Sequence, residues 1–211
     1  MNTYKSIPTF FSKRVQDAIK SIESILIKCS IKYTYETVDL SATTPNTAKT
    51  RKYEQEFRNI MDKQGLYMIY PTCLSGDKSN ADGNNVMQEV LYVGKTGKTG
   101  KSKNCDVFYK SNGGSGRIPH HIVGGKNVLF KKAHKLIDPN IRYNDFVNRY
   151  SVLCVVIDPS LLGSKFETCL LWWEAYLILS LIPLMNENIK INIGKPSSRH
   201  RNFEKYFPRI I

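Results

Sequence analysis

The sequence predicts an α+β fold, in which a small antiparallel sheet made of a hairpin and a third strand is packed by helices and preceded by a helical N-terminal extension. Three observations predict it. Residues 65–70 (G-L-Y-M-I-Y) and 90–94 (V-L-Y-V-G) are short runs separated by turn-forming residues, as in a hairpin. Residues 152–158 (V-L-C-V-V-I-D) are apolar up to the final Asp, as is typical of a buried strand. Residues 169–185 are almost entirely apolar and long enough for a core helix.

Residues 1–64 are predicted to form the helical extension and to contact DNA. A first helix is expected from Pro8 to Cys29, because apolar residues recur there at steps of three and four. A second helix is expected from Thr47 to Lys63, where charged residues are frequent. A solvated helix face is the alternative explanation of that charge. The candidates for DNA contact on this helix are Lys49, Arg51 and Lys52.

A lysine-rich stretch follows the second hairpin strand. Residues 94–102 (G-K-T-G-K-T-G-K-S) look like a phosphate-binding loop, but the position five residues earlier, where that motif needs a glycine, holds Tyr92 or Lys95. The chain is therefore not expected to use a nucleotide cofactor. The lysines instead predict a mobile cationic loop suited to a nucleic-acid backbone. The candidate DNA contacts in this loop are Lys95, Lys98 and Lys101.

The overall charge favours a polyanionic partner. There are 31 Lys and Arg residues against 18 Asp and Glu residues, which gives a net charge of +13. Five scattered cysteines without zinc spacing, and the lack of a secretory leader, favour a reduced, cytoplasmic chain. No membrane association is expected, because the apolar run is shorter than the roughly 20 residues of a membrane helix and contains Glu174 and Pro183.

Glu174 is the single acid in this apolar helix. Burying an unpaired carboxylate costs several kcal/mol, so a metal ion or a cationic side chain is expected beside it. Two simpler explanations stay open at this point. Glu174 reaches solvent at the end of the helix face, or it pairs with an arginine in the core.

The residues with chemical potential occur in a definite order. They are Tyr67 in G-L-Y, Tyr92 in Y-V-G, Arg117 and His121 four residues apart, Glu174, and Asn186 just past a proline. This ordered set resembles the GIY-YIG nuclease superfamily over residues 65–186. The closest likeness is to its type II restriction endonuclease branch. That branch also has an enlarged hairpin connection, a helical N-terminal extension and a segment with Gly and Arg after the Asn, here residues 193–201.

Two spacings depart from the minimal form of that superfamily. Tyr67 and Tyr92 are 25 residues apart, and 52 residues separate His121 from Glu174. Both distances look like insertions. Because His120 stands beside His121, the sequence leaves open which of them is the active-site histidine.

The resemblance implies a sequence-specific endonuclease for double-stranded DNA, a type II restriction enzyme. It would hydrolyse phosphodiesters with one Mg²⁺ per active site, or Mn²⁺ as a substitute, and Glu174 would be the metal ligand. Residues 65–188 would form the catalytic domain with its insertions, and residues 189–211 a basic C-terminal segment. Asn186 would brace the site by hydrogen bonds. A homodimer is expected, because one active site cuts only one strand.

The remaining roles also come from the resemblance. Tyr67 would assist the attacking water as a base or a proton relay, and Tyr92 and His121 would orient the water or Tyr67. Arg117 would hold two phosphate oxygens with its planar guanidinium. A phenol titrates near pH 10 when unperturbed. Lys95 and Arg117, together with the bound metal ion, are therefore expected to lower the pKa of Tyr67.

Two alternatives to a restriction enzyme remain. One is another GIY-YIG DNA nuclease, of the homing, mobile-element or repair type. The flanks contain no zinc finger or clear helix-turn-helix, which favours the compact restriction enzyme. The other is a non-catalytic DNA-binding protein, for which the positive charge alone would suffice. Base reading is expected outside the catalytic residues, with Arg199 and Arg201 as further DNA-binding candidates.

Overall fold

The structure is a computed structural model that describes residue 7 and residues 11–43, 57–72, 90–96, 107–111, 116–123 and 128–186. Its centre is a four-stranded antiparallel sheet with the strand order β1-β4-β2-β3. The strands are β1 (Tyr33–Asp39), β2 (Gly65–Pro71), β3 (Tyr92–Lys95) and β4 (Tyr150–Ile157). The predicted α+β fold with a small antiparallel sheet is confirmed.

Helices cover both faces of the sheet. They are α1 (Lys13–Lys28), α2 (Arg117–Val123), α3 (Leu129–Ile137), α4 (Tyr143–Val147) and α5 (Phe166–Leu181). Short 3-10 turns lie at Leu40–Thr43, Arg58–Ile60, Pro159–Leu161 and Gly163–Lys165. Within the described parts of the chain, none of the helices is both long and apolar enough to cross a bilayer.

The strand β1 was not predicted. It lies inside the expected helical extension, yet it pairs with β4 along its whole length, from Tyr33 opposite Ile157 to Asp39 opposite Ser151. The first helix is confirmed as α1, which begins after Ser12; the hydroxyl of Ser12 accepts a hydrogen bond from the Val15 N–H at 3.4 Å. Of the expected second helix only residues 57–63 are described, and they contain a 3-10 turn.

The alternation of side chains along β2 separates two hydrophobic cores. Leu66, Met68 and Tyr70 face a core formed with α1 and α5. Tyr67 and Ile69 point to the opposite face, where α2, α3 and α4 form the second core. The alternating side-chain directions of the strand thus place Tyr67 on the α2 side of the sheet.

The helix α5 ends just before Pro183, and thus within the apolar run of residues 169–185. The last helical residue is Leu181, and Ile182 adopts a left-handed conformation with φ 47° and ψ 58°. Pro183 has no N–H to continue the helix. Ile182, the β-branched residue before it, is strained in this left-handed conformation. The turn leads the chain to Met185, which is buried in the second core, and to Asn186.

Candidate active site

The two motif tyrosines lie side by side on one face of the β2–β3 hairpin. Tyr67 pairs with Gly94 and Ile69 pairs with Tyr92, so the tyrosines are diagonal neighbours across the two strands. Their ring centroids are 6.0 Å apart, and Tyr67 is fully buried. Phe108 packs edge-on against the ring of Tyr67 at 6.3 Å and closes its other side.

At the two motif glycines, Gly65 and Gly94, a side chain would clash with neighbouring atoms. A Cβ atom on Gly94 would lie 2.4 Å from the hydroxyl oxygen of Tyr67 and 2.7 Å from Cε1 of Tyr92. A Cβ atom on Gly65, which has φ +151°, would lie 1.9 Å from the carbonyl oxygen of Val155. The first glycine leaves room for the two phenol rings, and the second allows β2 to pack closely against β4.

If this cluster is the active site of the DNA nuclease that the sequence predicts, Gly94→Ala should push the Tyr67 ring out of place and lower the cleavage rate on the order of 10²-fold, the usual effect of a displacement of about 1 Å. The measurement is the initial rate of plasmid cleavage. Gly163→Ala is the control, because its Cβ would meet no atom within 4 Å although φ is +49°. It should cost about 1–2 kcal/mol of folding stability and leave cleavage unchanged. Equal rate losses in both variants would contradict the steric explanation.

The helix α2 presents Arg117 and His121 to Tyr67. The two residues are one helical turn apart and therefore share a face. His121 Nε2 lies 2.6 Å from the hydroxyl oxygen of Tyr67, and Arg117 Nε donates to the same oxygen at 3.3 Å. The His121 ring also lies 5.1 Å from the Tyr92 ring. His120 is exposed whereas His121 is buried, so His121 is the histidine of this cluster.

Burial decides the protonation of the cluster. Burial raises the pKa of Tyr67 well above its ordinary value; the neighbouring Tyr92 adds to the rise, and the charge of Arg117 opposes it. Arg117 lowers the pKa of Tyr67, as expected, but desolvation of the phenolate outweighs this effect, so the protein side chains alone leave the pKa raised. Burial, assisted by Arg117 and His120, lowers the pKa of His121 to about 3. Tyr67 is thus a phenol and His121 a neutral imidazole at neutral pH.

Glu174 joins the cluster from α5, which packs across β2 and the edge strand β3. Its side chain is half-buried, and burial raises its pKa, while the charges of Lys95 and Arg117 and a hydrogen bond from the Lys95 backbone lower it. Burial raises the pKa of Tyr92, and the charge of Glu174 adds to this rise; the same charge also contributes to the raised pKa of Tyr67. The carboxylate therefore lies close to two cations and both phenols.

Lys95 is not part of an exposed loop, which corrects the sequence analysis for this residue. It is the last residue of β3, pairs with Leu66 across the hairpin and has 7% of its surface exposed. Its charge acts on Glu174. Its contact with DNA stays a prediction.

Asn186 fastens the outer edge of the hairpin. Its Oδ1 accepts a hydrogen bond from the Val93 N–H at 2.7 Å, and its Nδ2 donates to the Val93 carbonyl at 2.9 Å. The Met185 N–H donates to the Leu91 carbonyl at 3.0 Å. Because β3 is the edge strand, the amide of Asn186 takes the place of a further strand and fixes the segment that carries Tyr92.

Thr96, which no sequence motif indicated, closes the open end of the hairpin. Thr96 is fully buried, and its Oγ1 accepts from the Gly65 N–H at 2.8 Å. The Thr96 N–H donates to the Gly65 carbonyl at 2.9 Å. A threonine within a lysine-rich stretch carries no sequence signal for such a contact. Together with Asn186 it holds β2 and β3 in the register that aligns the two tyrosines.

The other DNA-binding candidates lie outside the described residues. They are Lys49, Arg51, Lys52, Lys98, Lys101, Arg199 and Arg201. The enlarged hairpin connection and the basic segment 189–211 also lie outside them. Among the residues that are described, no group of three or more His, Cys, Asp or Glu side chains could enclose a metal ion.

Five side chains from four separate segments thus meet at one place: Tyr67, Tyr92, Arg117, His121 and Glu174. They combine a carboxylate, a cation, two phenols and a neutral imidazole. Comparison of the chain with protein-family models, with curated proteins and with solved structures found no match. The chemistry of this cluster is therefore the basis on which a function can be proposed.

Proposed function

We propose that the chain is a metal-dependent endonuclease that hydrolyses phosphodiesters in double-stranded DNA at specific sequences, as a type II restriction enzyme does. The observation that carries the proposal is the contact of Tyr67 with both His121 and Arg117, at 2.6 and 3.3 Å, beside the carboxylate of Glu174. The net charge of +13 supports a polyanionic substrate.

The residues fit a metal ion that is held by one protein ligand. Mg²⁺ usually keeps several of its waters and binds through one or two carboxylates together with substrate phosphates. Glu174 offers one carboxylate, and its raised pKa means that Lys95 and Arg117 do not fully offset the cost of burying its charge. A divalent cation would offset that cost. When bound to Glu174, Mg²⁺ or Mn²⁺ supplies positive charge at a phosphate oxygen.

Arg117 has two tasks in this proposal. Its Nε holds the hydroxyl group of Tyr67 in place. Its positive charge offsets the charge of the phosphate, which would otherwise be repelled by Glu174. Lys95, which is buried near the same carboxylate, adds to this positive charge.

Tyr67 and His121 form the route for the proton of the attacking water. The Tyr67 oxygen accepts a proton from water while its own proton passes to Nε2 of His121, which must then carry its resting proton on Nδ1. The water oxygen bonds to phosphorus, and the bond from phosphorus to the 3′ oxygen breaks. That oxygen takes a proton from solvent, so the products are a 3′ hydroxyl and a 5′ phosphate.

The experiment is digestion of supercoiled plasmid DNA by the full chain with Mg²⁺, followed by sequencing of the fragment ends. Linear fragments with one end sequence are expected, and none in EDTA. Clean cleavage in EDTA would contradict the metal assignment. Binding without cleavage would favour the non-catalytic DNA-binding protein, and random ends would remove the restriction enzyme from consideration. Two-strand cuts at a palindrome would agree with the proposed homodimer.

A further inference from the structure

The segment between the active-site histidine and β4 is fixed directly to the active-site helix α2. It contains α3 and α4. Leu129 and Phe130 of α3 are buried in the same core as Ile118 and Ile122 of α2. The hydroxyl group of Tyr143, the first residue of α4, donates to the Ile122 carbonyl at 2.6 Å. Packing therefore sets the position of α3 relative to Arg117 and His121, and the hydrogen bond fixes α4 to the same helix α2.

The outer side of α3 is basic. Lys132 and Lys135 are exposed and three residues apart, so they lie on one side of the helix, and Lys131 beside them is half-buried. Residues 128–149 contain five Lys and Arg against two Asp. One of those aspartates, Asp138, is paired with Arg149 at 3.1 Å. Like charges at this spacing weaken a helix slightly, and an anionic partner would remove that penalty.

We propose that this surface, the α3 lysine face (Lys132 and Lys135), binds the sugar-phosphate backbone of duplex DNA next to the phosphate that is cut. The inference rests on the proposed nuclease function. A duplex carries a phosphate about every 3.4 Å along each strand, so DNA whose phosphate lies at Tyr67 and Arg117 continues past the neighbouring elements. The α3 helix is such a neighbour, and it has the complementary charge.

Contacts of this kind position the duplex and do not read its sequence. The α3 lysine face should therefore contribute to affinity and to its salt dependence, and leave the choice of cut site to other residues. It should also leave the rate at saturating DNA unchanged, because neither lysine is in contact with the reacting groups named above.

The experiment compares Lys132→Gln/Lys135→Gln with the wild-type chain and with Lys13→Gln/Lys20→Gln. The control removes the same charge from two exposed lysines of α1, which covers the opposite face of the sheet. Dissociation constants for a 30-base-pair duplex (about three helical turns) are measured by fluorescence anisotropy at several salt concentrations, without Mg²⁺. In the α3 variant the slope of log affinity against log salt should fall by about two, at roughly 0.9 per lost phosphate contact.

The control variant should keep the wild-type slope, and Lys132→Arg/Lys135→Arg should keep it as well. A slope that is unchanged in the α3 variant, or lowered equally in the control, overturns the inference. A relaxed cut site in the α3 variant would also overturn it, because that would mean that the lysines read bases. The same holds if the α3 variant loses binding to anionic phospholipid vesicles but keeps its binding to the duplex. If the wild-type chain neither binds nor cuts DNA, the proposed function itself is refuted. If it does both, the slopes of log affinity against log salt test the α3 lysine face separately from the proposed function.

Discussion

Glu174→Gln is expected to abolish cleavage and, at the same time, to make the folded chain more stable. If Glu174 holds the proposed metal ion, loss of the ion's charge stabilisation, several kcal/mol, corresponds to a rate decrease of about 10³-fold or more. The stability gain follows because Gln keeps the size of the side chain but removes a half-buried charge whose pKa burial has raised. A gain of about 0.5–2 kcal/mol is the usual range when a site is relieved of such a cost.

The pH dependence of that gain has a definite sign. Since the folded chain raises the pKa of Glu174 from its ordinary 4.5, the protonated form is favoured by folding. The stability that this carboxyl contributes is complete below its unfolded pKa and is lost as pH rises through the folded value. Urea unfolding should therefore show Glu174→Gln more stable than wild type at pH 7, with the difference vanishing below about pH 4.

Glu167→Gln is the matched control on the same helix. Glu167 is an exposed residue in the first turn of α5. Its replacement should change the free energy of unfolding by less than about 0.5 kcal/mol and leave cleavage at the wild-type rate. If Glu174→Gln instead lost stability together with cleavage, Glu174 would be holding the core through a cationic side chain, and its role as a metal ligand would be refuted.

The main elements could be predicted because their apolar spacing is strong. The buried positions of α1 recur at steps of three and four, and β2 and β4 are buried almost throughout. β1 could not be predicted in the same way. Only Tyr35 and Val38 of its seven residues are buried, and its partner β4 lies more than a hundred residues later in the chain. Its pairing supplies the stability that its own pattern does not indicate.

The residues of the candidate site could be predicted from the sequence, but their burial and pKa values could not. The order of the motif residues indicated which side chains meet, but the choice of His121 over His120 needed the phase of α2, which begins at Arg117. Lys95 opens a stretch of Lys, Thr and Gly that is typical of an exposed loop; pairing with Leu66 buries it. The pKa of Tyr67 is the balance of burial against the charge of Arg117, and a sequence contains no measure of burial.

Tyr67→Phe is expected to lower the rate at saturating DNA by about 10²–10⁴-fold, the range for loss of an acid–base group, with the affinity for DNA unchanged. The change removes one oxygen and keeps the ring. His121 and Arg117 then lose a buried partner, which costs about 1–3 kcal/mol of stability. Tyr70→Phe is the control in the same strand, because Tyr70 points into the opposite core. It should lose stability alone; equal loss of cleavage would contradict a chemical role for Tyr67.

The pH profile of the wild-type rate separates the two ways in which Tyr67 can act. If the phenolate must form before the water is attacked, the rate should rise tenfold per pH unit from pH 6 to 9 without a plateau, because burial holds the pKa of Tyr67 well above 10.0. If Tyr67 relays a proton to His121, the reactive form is the resting one. The pKa of His121 is about 3, so the rate should then be flat over the same range. His121→Ala should abolish activity only if Tyr67 relays its proton to His121, which is the case that gives the flat profile. A tenfold rise per unit that survives in His121→Ala would identify Tyr67 as the base and refute the relay.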